Sequence, residues 1–229
     1  MKMNLSKTSP NLQSFFEKGF DTLYVDDTIT NHLAGFVLTE QYGKGTYPGI
    51  ENPLWDRDYL DLDDNFYANQ QKYVDIIKQV LAEPYFKYWN EIYGTFDNFK
   101  VSVNRMNAGT DMVWHWDGFD GTLIQLLFYM ETQDSGEFEV GKVSQIQVND
   151  TDSFPHWQPA KGLNHIEGNV ETTGKIKIET NKLIVLNNYN PCFVHRVNTT
   201  NTLRHSVIVS CGYKSVWENN KIKEYDIEE

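Results

Sequence analysis

Two metal-ligating side chain types stand two residues apart in His115-Trp116-Asp117. In an extended strand, residues i and i+2 point to the same side. An imidazole nitrogen and a carboxylate oxygen are therefore presented together, while Trp116 turns the other way into packing. Gly118 follows, where a strand would end and turn. Such a pair supplies two of the three ligands of a 2-His-1-carboxylate facial triad, the set that suits Fe(II) and leaves coordination positions open for oxygen chemistry. The third ligand must be a distant histidine on a neighbouring strand. His156 and His165 lie in a Pro/Gly/Asn-rich stretch that reads as a loop. His205 lies inside an alternating strand and is expected to point away. His195 opens a strand after Asn190-Pro191-Cys192-Phe193-Val194 and is the best candidate.

Arg204 and Ser206 follow His195 by nine and eleven residues and share one face of their strand. If residues 194–198 and 204–211 form a hairpin across 199–202, that face looks into the cavity His195 faces. A guanidinium beside a hydroxyl fits a carboxylate, because arginine binds one bidentately and serine adds a further bond. Arg105, on the strand before the H-x-D pair, is a candidate partner for a substrate carboxylate, with Asn104 and Asn107 beside it. Trp114, Trp116 and Trp157 read first as core or rim packing. Trp116 and Trp55 are the aromatic candidates for substrate contact.

These residues need a β scaffold, and the chain changes character near residue 98 to provide one. Before it the patterns are mostly helical. Residues 11–18 suit a short helix, and Asp27, Thr28 and Thr30 offer N-caps for a helix over 29–41. Residues 42–62, rich in Gly, Pro and Asp, read as a long loop and a candidate lid. Residues 66–81 carry Tyr73, Ile76, Ile77, Val80 and Leu81 at helical spacing, and Pro84 starts another helix to about 92. After 98 the pattern is β, over 100–106, 122–130, 138–148, 175–178, 182–186, 194–198 and 204–211. The expectation is an α+β chain with a jelly-roll, or double-stranded β-helix, core and N-terminal helices packed on one sheet. It is read as one domain over 1–229, with a helical part at 1–97, the core at 98–213 and an acidic tail at 214–229.

At this point the residues resemble a family. His115-Trp116-Asp117, then His195, then Arg204-His205-Ser206 is similar to the pattern of the Fe(II)- and 2-oxoglutarate-dependent oxygenases. The strand over 121–130 resembles the one that follows H-x-D in the prolyl-4-hydroxylase-like branch. Gly136-Glu137-Phe138-Glu139-Val140 resembles that branch's Gly-Gly-Glu-Leu turn, with Ser135 where the first glycine often sits. Lys182-Leu183-Ile184-Val185-Leu186 resembles the strand before the distal histidine, and His195-Arg196-Val197 its frequent His-Arg-Val wording. The resemblance covers residues 98–213. It departs where the branch often has Tyr and Gly upstream of H-x-D. Here Asn107-Ala108-Gly109 stands there, so a hydrogen bond to the cosubstrate must come from elsewhere, with Tyr129 and Asn107 as candidates. Residues 142–181 are long for the link they make and read as a substrate-covering insertion.

The resemblance implies a dioxygenase whose cofactors are Fe(II), 2-oxoglutarate and O2. His115, Asp117 and His195 would hold the metal, and Arg204 and Ser206 would receive the far carboxylate of 2-oxoglutarate. Halogenating relatives carry Gly or Ala where Asp117 stands, so hydroxylation, desaturation or ring closure is expected instead. Two other readings fit the residues. One is a facial-triad oxidase that uses no 2-oxoglutarate and holds a substrate carboxylate on Arg204 and Ser206. The other is a non-enzymatic jelly-roll binding protein.

Composition bounds the partners. A net charge of −12 over 229 residues repels phosphate backbones, so duplex nucleic acid is not an expected partner. A small molecule, an amino acid or a protein side chain is expected as substrate. No long apolar run argues for a membrane span. The polar start of the chain and two cysteines without a disulfide framework suggest a cytoplasmic setting.

Overall fold

The computed structural model describes residues 8–31, 43–44, 57–61, 75, 77–109, 112–117, 122–130, 136–143, 170–190, 192–198 and 201–213. In chain order the elements are α1 (Leu12–Lys18), β1 (Phe20–Tyr24), β2 (Gly43–Lys44), β3 (Arg57–Asp61), α2 (Glu83–Tyr93), β4 (Asn98–Met106), β5 (Met112–His115), β6 (Thr122–Tyr129), β7 (Glu137–Lys142), β8 (Glu171–Lys177), β9 (Lys182–Asn187), β10 (Phe193–Val197) and β11 (Arg204–Gly212). A π-helical stretch over Ile77–Ala82 runs into α2.

Local chemistry sets the helix ends. The Asn11 side chain accepts the Ser14 N–H at 3.0 Å, satisfying a donor that the first turn of α1 leaves open. Gly19 ends the helix at φ 85°, a left-handed conformation that glycine adopts freely. The Phe193 ring occupies the space that any Cβ there would need. Pro84 sits in the first turn of α2, where its missing N–H costs nothing. Tyr85, Phe86 and Trp89 turn inward from that helix, while Lys87 and Glu91 stay exposed.

Among the described residues the strands form two antiparallel sheets. One has seven strands in the order β1-β9-β6-β11-β4-β3-β2, and the other has four in the order β5-β10-β7-β8. Alternation along the strands divides the larger sheet into two faces. Ile124, Leu126, Phe128, Leu183, Val185, Val207 and Val209 pack under the helices with Phe15, Tyr85, Phe86 and Trp89. Leu127, Tyr129, Ile184, Leu186 and Met106 face the other way. They pack between the sheets with Phe138, Val140, Ile176 and Val197. This is the two-sheet jelly-roll core, with helices on one sheet, that the residue patterns predict; among the described residues neither sheet closes on itself.

The N-terminal region differs from expectation. Residues 42–62 are not one loop, because β2 and β3 lie within them and extend the larger sheet beyond β4. β1 also precedes the expected β region and pairs with β9 from Phe20↔Leu186 to Tyr24↔Lys182. Its buried Asp21 is tied down by Tyr85, whose hydroxyl donates to Oδ2 at 2.5 Å, and by the Asn11 and Thr22 amides. Of the expected 29–41 helix only residues 29–31 are described; the helical run starts earlier, at 27, and the cap is Asp26, whose Oδ1 accepts the Thr28 N–H. The predicted break near Pro84 is a π-to-α transition within one continuous helical run.

Candidate metal centre

β5 and β10 are antiparallel neighbours whose register sets His115 directly against His195. β7 flanks β10 on its other side and places Val140 beside His195. The approach to β10 is held by asparagines. Asn187 Oδ1 accepts the Tyr189 and Asn190 amides, and Asn190 Oδ1 accepts the Cys192 amide at 2.9 Å. Such side-chain bonds to a following backbone amide fix a turn without regular structure. Trp116 donates Nε1–H to Asn188 O at 2.9 Å, which ties the H-x-D segment to the same turn.

The two imidazole rings lie with centroids 4.1 Å apart. His115 Nε2 is 3.7 Å and His195 Nε2 is 3.5 Å from one carboxylate oxygen, Oδ2 of Asp117. One ligand atom from each residue falls within a span of 4.8 Å. Both histidines are buried, and Asp117 is partly exposed. Two imidazoles and a carboxylate converging from one side form the donor set that suits Fe(II) with positions left open. Gln125 on β6 reaches across and donates Nε2–H to the same Asp117 oxygen at 3.2 Å. Residue-type reasoning missed Gln125. Its signal was there, as the one amide in an otherwise apolar strand.

Arg204, Ser206 and Tyr129 gather on the facing sheet. Ser206 is in register with Tyr129 on β6 and with Asn104 on β4. Arg204 is in register with Met106, and its Nη2 lies 2.7 Å from the Met106 sulfur. The Arg204 guanidinium also sits over the Tyr129 ring, 5.6 Å from its centroid. All five residues are buried. Burial pushes the Tyr129 hydroxyl up to about 12, with Arg204 acting the other way, so the phenol keeps its proton at neutral pH and can donate it. Tyr129 meets Phe138 edge-on at 6.5 Å, and Phe138 stacks on His195 at 5.4 Å. One run of ring contacts thus links the arginine to the metal ligands.

That link replaces the expected hairpin. β10 and β11 are not paired; they belong to different sheets. Arg204 and His195 look toward each other across the core instead of along one sheet. The remaining candidates separate as follows. Arg105 has the same parity on β4 as Val101, which packs under the helices, and it is in register with His205. It therefore faces away from the space between the sheets, on the side of Val101. Trp116 is buried and packs against Val143, Cys192 and Val194. Asn107 follows the end of β4, half-buried. Trp55, Trp157, His156 and His165 lie outside the described residues.

The outer face of the four-stranded sheet carries a charged cluster. Glu139 Oε2 accepts from Arg196 Nε at 2.9 Å and lies 2.7 Å from its Nη2. Oε1 accepts from Asn198 at 3.0 Å and lies 3.1 Å from Lys175 Nζ. Burial alone would push this carboxyl up, but the hydrogen bonds from Asn198, Arg196 and Lys175 outweigh it and hold it below its ordinary value. Arg196 also lies over the Trp114 ring at 4.8 Å. The cluster therefore clamps β5, β7, β8 and β10 together directly behind the two histidines.

No protein-family model matches the sequence, and no curated protein matches it by sequence. Solved structures do match in fold. A Pseudomonas putida prolyl-4-hydroxylase superposes with a TM-score of 0.55 at 11% identity, covering 88% of this chain and 96% of its own. A Trichoplax adhaerens prolyl hydroxylase, in complex with a hypoxia inducible factor peptide fragment, gives 0.59 at 13% identity, covering 90% and 89%. A 2OG-Fe(II) oxygenase family oxidoreductase from Burkholderia pseudomallei gives 0.55 at 12% identity, covering 90% and 91%. At such identities the likeness speaks for the fold, and the chain has the prolyl-hydroxylase-like fold of the 2OG-Fe(II) oxygenases.

Proposed function

We propose that this protein is an Fe(II)- and 2-oxoglutarate-dependent dioxygenase that hydroxylates a small molecule, an amino acid or a protein side chain. The observation that carries the reading is the convergence of His115, Asp117 and His195 within 4.8 Å, in a fold shared with such oxygenases. The buried arginine on the facing sheet supports the choice of cosubstrate, since a guanidinium, a serine hydroxyl and a protonated phenol together suit a carboxylate.

Bound iron, with 2-oxoglutarate and O2, would supply an oxidation that releases succinate and CO2. The residues of the chain provide the rest. His115 and His195 bind the metal as neutral imidazoles and Asp117 binds as the carboxylate. Gln125 orients the Asp117 oxygen. Arg204 fixes the far carboxylate of the cosubstrate, with Ser206 and Tyr129 donating to it. Phe138, Leu127, Ile184 and Val197 line the space between the sheets and exclude water from it. Asp117 fills the ligand place that halogenating relatives leave open, which favours hydroxylation.

The test is turnover of 2-oxoglutarate by the purified protein with Fe(II) and ascorbate, read as succinate. We expect slow succinate formation that needs iron and rises with the right substrate from a panel of amino acids, peptides and small metabolites. Oxygen uptake that proceeds equally without 2-oxoglutarate would refute the cosubstrate and leave an iron oxidase.

A further inference from the structure

Asn104 sits at the centre of the proposed cosubstrate pocket with a side-chain amide that is unpaired among the described residues. It is 1% exposed on β4, and neither Nδ2 nor Oδ1 has a hydrogen-bond partner among the described residues. Its neighbours on the next two strands to one side, β11 and β6, place it. Ser206 lies directly beside it on β11 and Tyr129 lies one strand further on β6, so the three polar residues form a transverse row. Met106, two residues along β4, faces the same way and touches Arg204. A buried amide left unpaired is costly, and apolar neighbours such as Leu127 and Ile184 fill the equivalent space elsewhere on this face.

We infer that Asn104 is a further cosubstrate-binding residue, which rests on the reading given under Proposed function. Its Nδ2–H donates to the carboxylate that Arg204 and Ser206 receive, and its Oδ1 accepts from the Ser206 hydroxyl. Directly opposed residues on antiparallel strands have Cβ atoms about 4.5–5.5 Å apart, close enough for a serine hydroxyl to turn onto the amide. The cost of burying the amide in the empty protein is thereby recovered when a carboxylate is bound.

The experiment uses the full chain and a redox-silent metal, so that it reads binding without turnover. Calorimetry measures the affinity of 2-oxoglutarate with Mn(II) present for the unmodified protein, Asn104→Leu and Asn104→Asp, with Arg204→Ala as a reference. Thermal unfolding without ligand is measured in parallel. Asn104→Leu should weaken 2-oxoglutarate binding by roughly tenfold and leave the melting temperature unchanged or raised, because no existing hydrogen bond is lost. Asn104→Asp sets a second carboxylate against the ligand and should weaken binding more than Asn104→Leu. Should Asn104→Asp not fold, Asn104→Ser keeps the comparison. Unchanged 2-oxoglutarate affinity in the folded variants, with Arg204→Ala weakened, overturns the role of Asn104 and leaves the wider reading standing. A melting temperature that falls in Asn104→Leu while affinity holds shows a structural amide and also overturns it. Failure of the unmodified protein to bind 2-oxoglutarate at all overturns both.

Discussion

Gln125 of the seven-stranded sheet donates its amide hydrogen to Asp117 at the edge of the four-stranded sheet, 3.2 Å from Oδ2. That oxygen is also the one nearest both histidines. Gln125 thus orients the carboxylate from across the core, and its strand is held on both sides by β9 and β11. Partners of this kind are worth about 10–100-fold in metal affinity. Gln125→Leu should weaken Fe(II) or Mn(II) binding by that factor with a folded core, measured by metal titration. Unchanged affinity would leave Asp117 positioned by its own backbone.

Arg204 is the proposed anchor for the cosubstrate. Hydrogen bonds to a charged partner are worth about 1.5–3 kcal/mol each. Arg204→Ala should therefore raise the 2-oxoglutarate concentration for half-maximal turnover by roughly tenfold or more, with metal affinity unchanged. Arg204→Lys should restore part of the loss, since it keeps the charge and not the planar fork. An unchanged requirement in both variants would move the carboxylate anchor elsewhere.

Glu139 links the histidine-bearing strands to pH. Its folded carboxyl titrates below the ordinary value of 4.5. The stability it contributes is fully present above that ordinary value and is lost as pH falls through the folded one. Glu139→Gln should lower unfolding stability by about 1–3 kcal/mol at pH 7. The gap between variant and unmodified protein should narrow as pH drops below 4.5. Urea midpoints across that range measure it. A gap that stays constant would mean the carboxyl titrates normally.

Trp89 separates fold from site. It is 1% exposed, packed with Phe15, Phe86 and Tyr189 on the helix side of the larger sheet. Trp89→Ala should cost about 3–5 kcal/mol in denaturant unfolding. Metal affinity, measured well below the midpoint, should be unaltered, because the helices touch the opposite face of the sheet from the site.

The legible part of this molecule is the part governed by the two-residue period of a strand. Arg204 and Ser206 share one side of β11 by that period, Asp117 just past the end of β5 still turns to the side of His115, and all four reach the space between the sheets. The pairing of strands was not legible. Nearness in sequence suggested that β10 and β11 make a hairpin, whereas the two strands, six residues apart in the chain, belong to different sheets. The phase of β4 was equally hidden, since Asn104 and Arg105 are both polar. Val101 under the helices and Met106 between the sheets set that phase, and both contacts are distant in sequence. β1 escaped notice because Asp21 interrupts its apolar face, and the partner that makes its burial possible, Tyr85, is 64 residues away.

The most direct test of the central claim is an anaerobic Fe(II) titration of the unmodified protein and of His115→Ala, Asp117→Ala and His195→Ala. One tight equivalent is expected in the unmodified protein, and no tight site in any of the three folded variants. Retention of full iron affinity by His115→Ala or His195→Ala would contradict it.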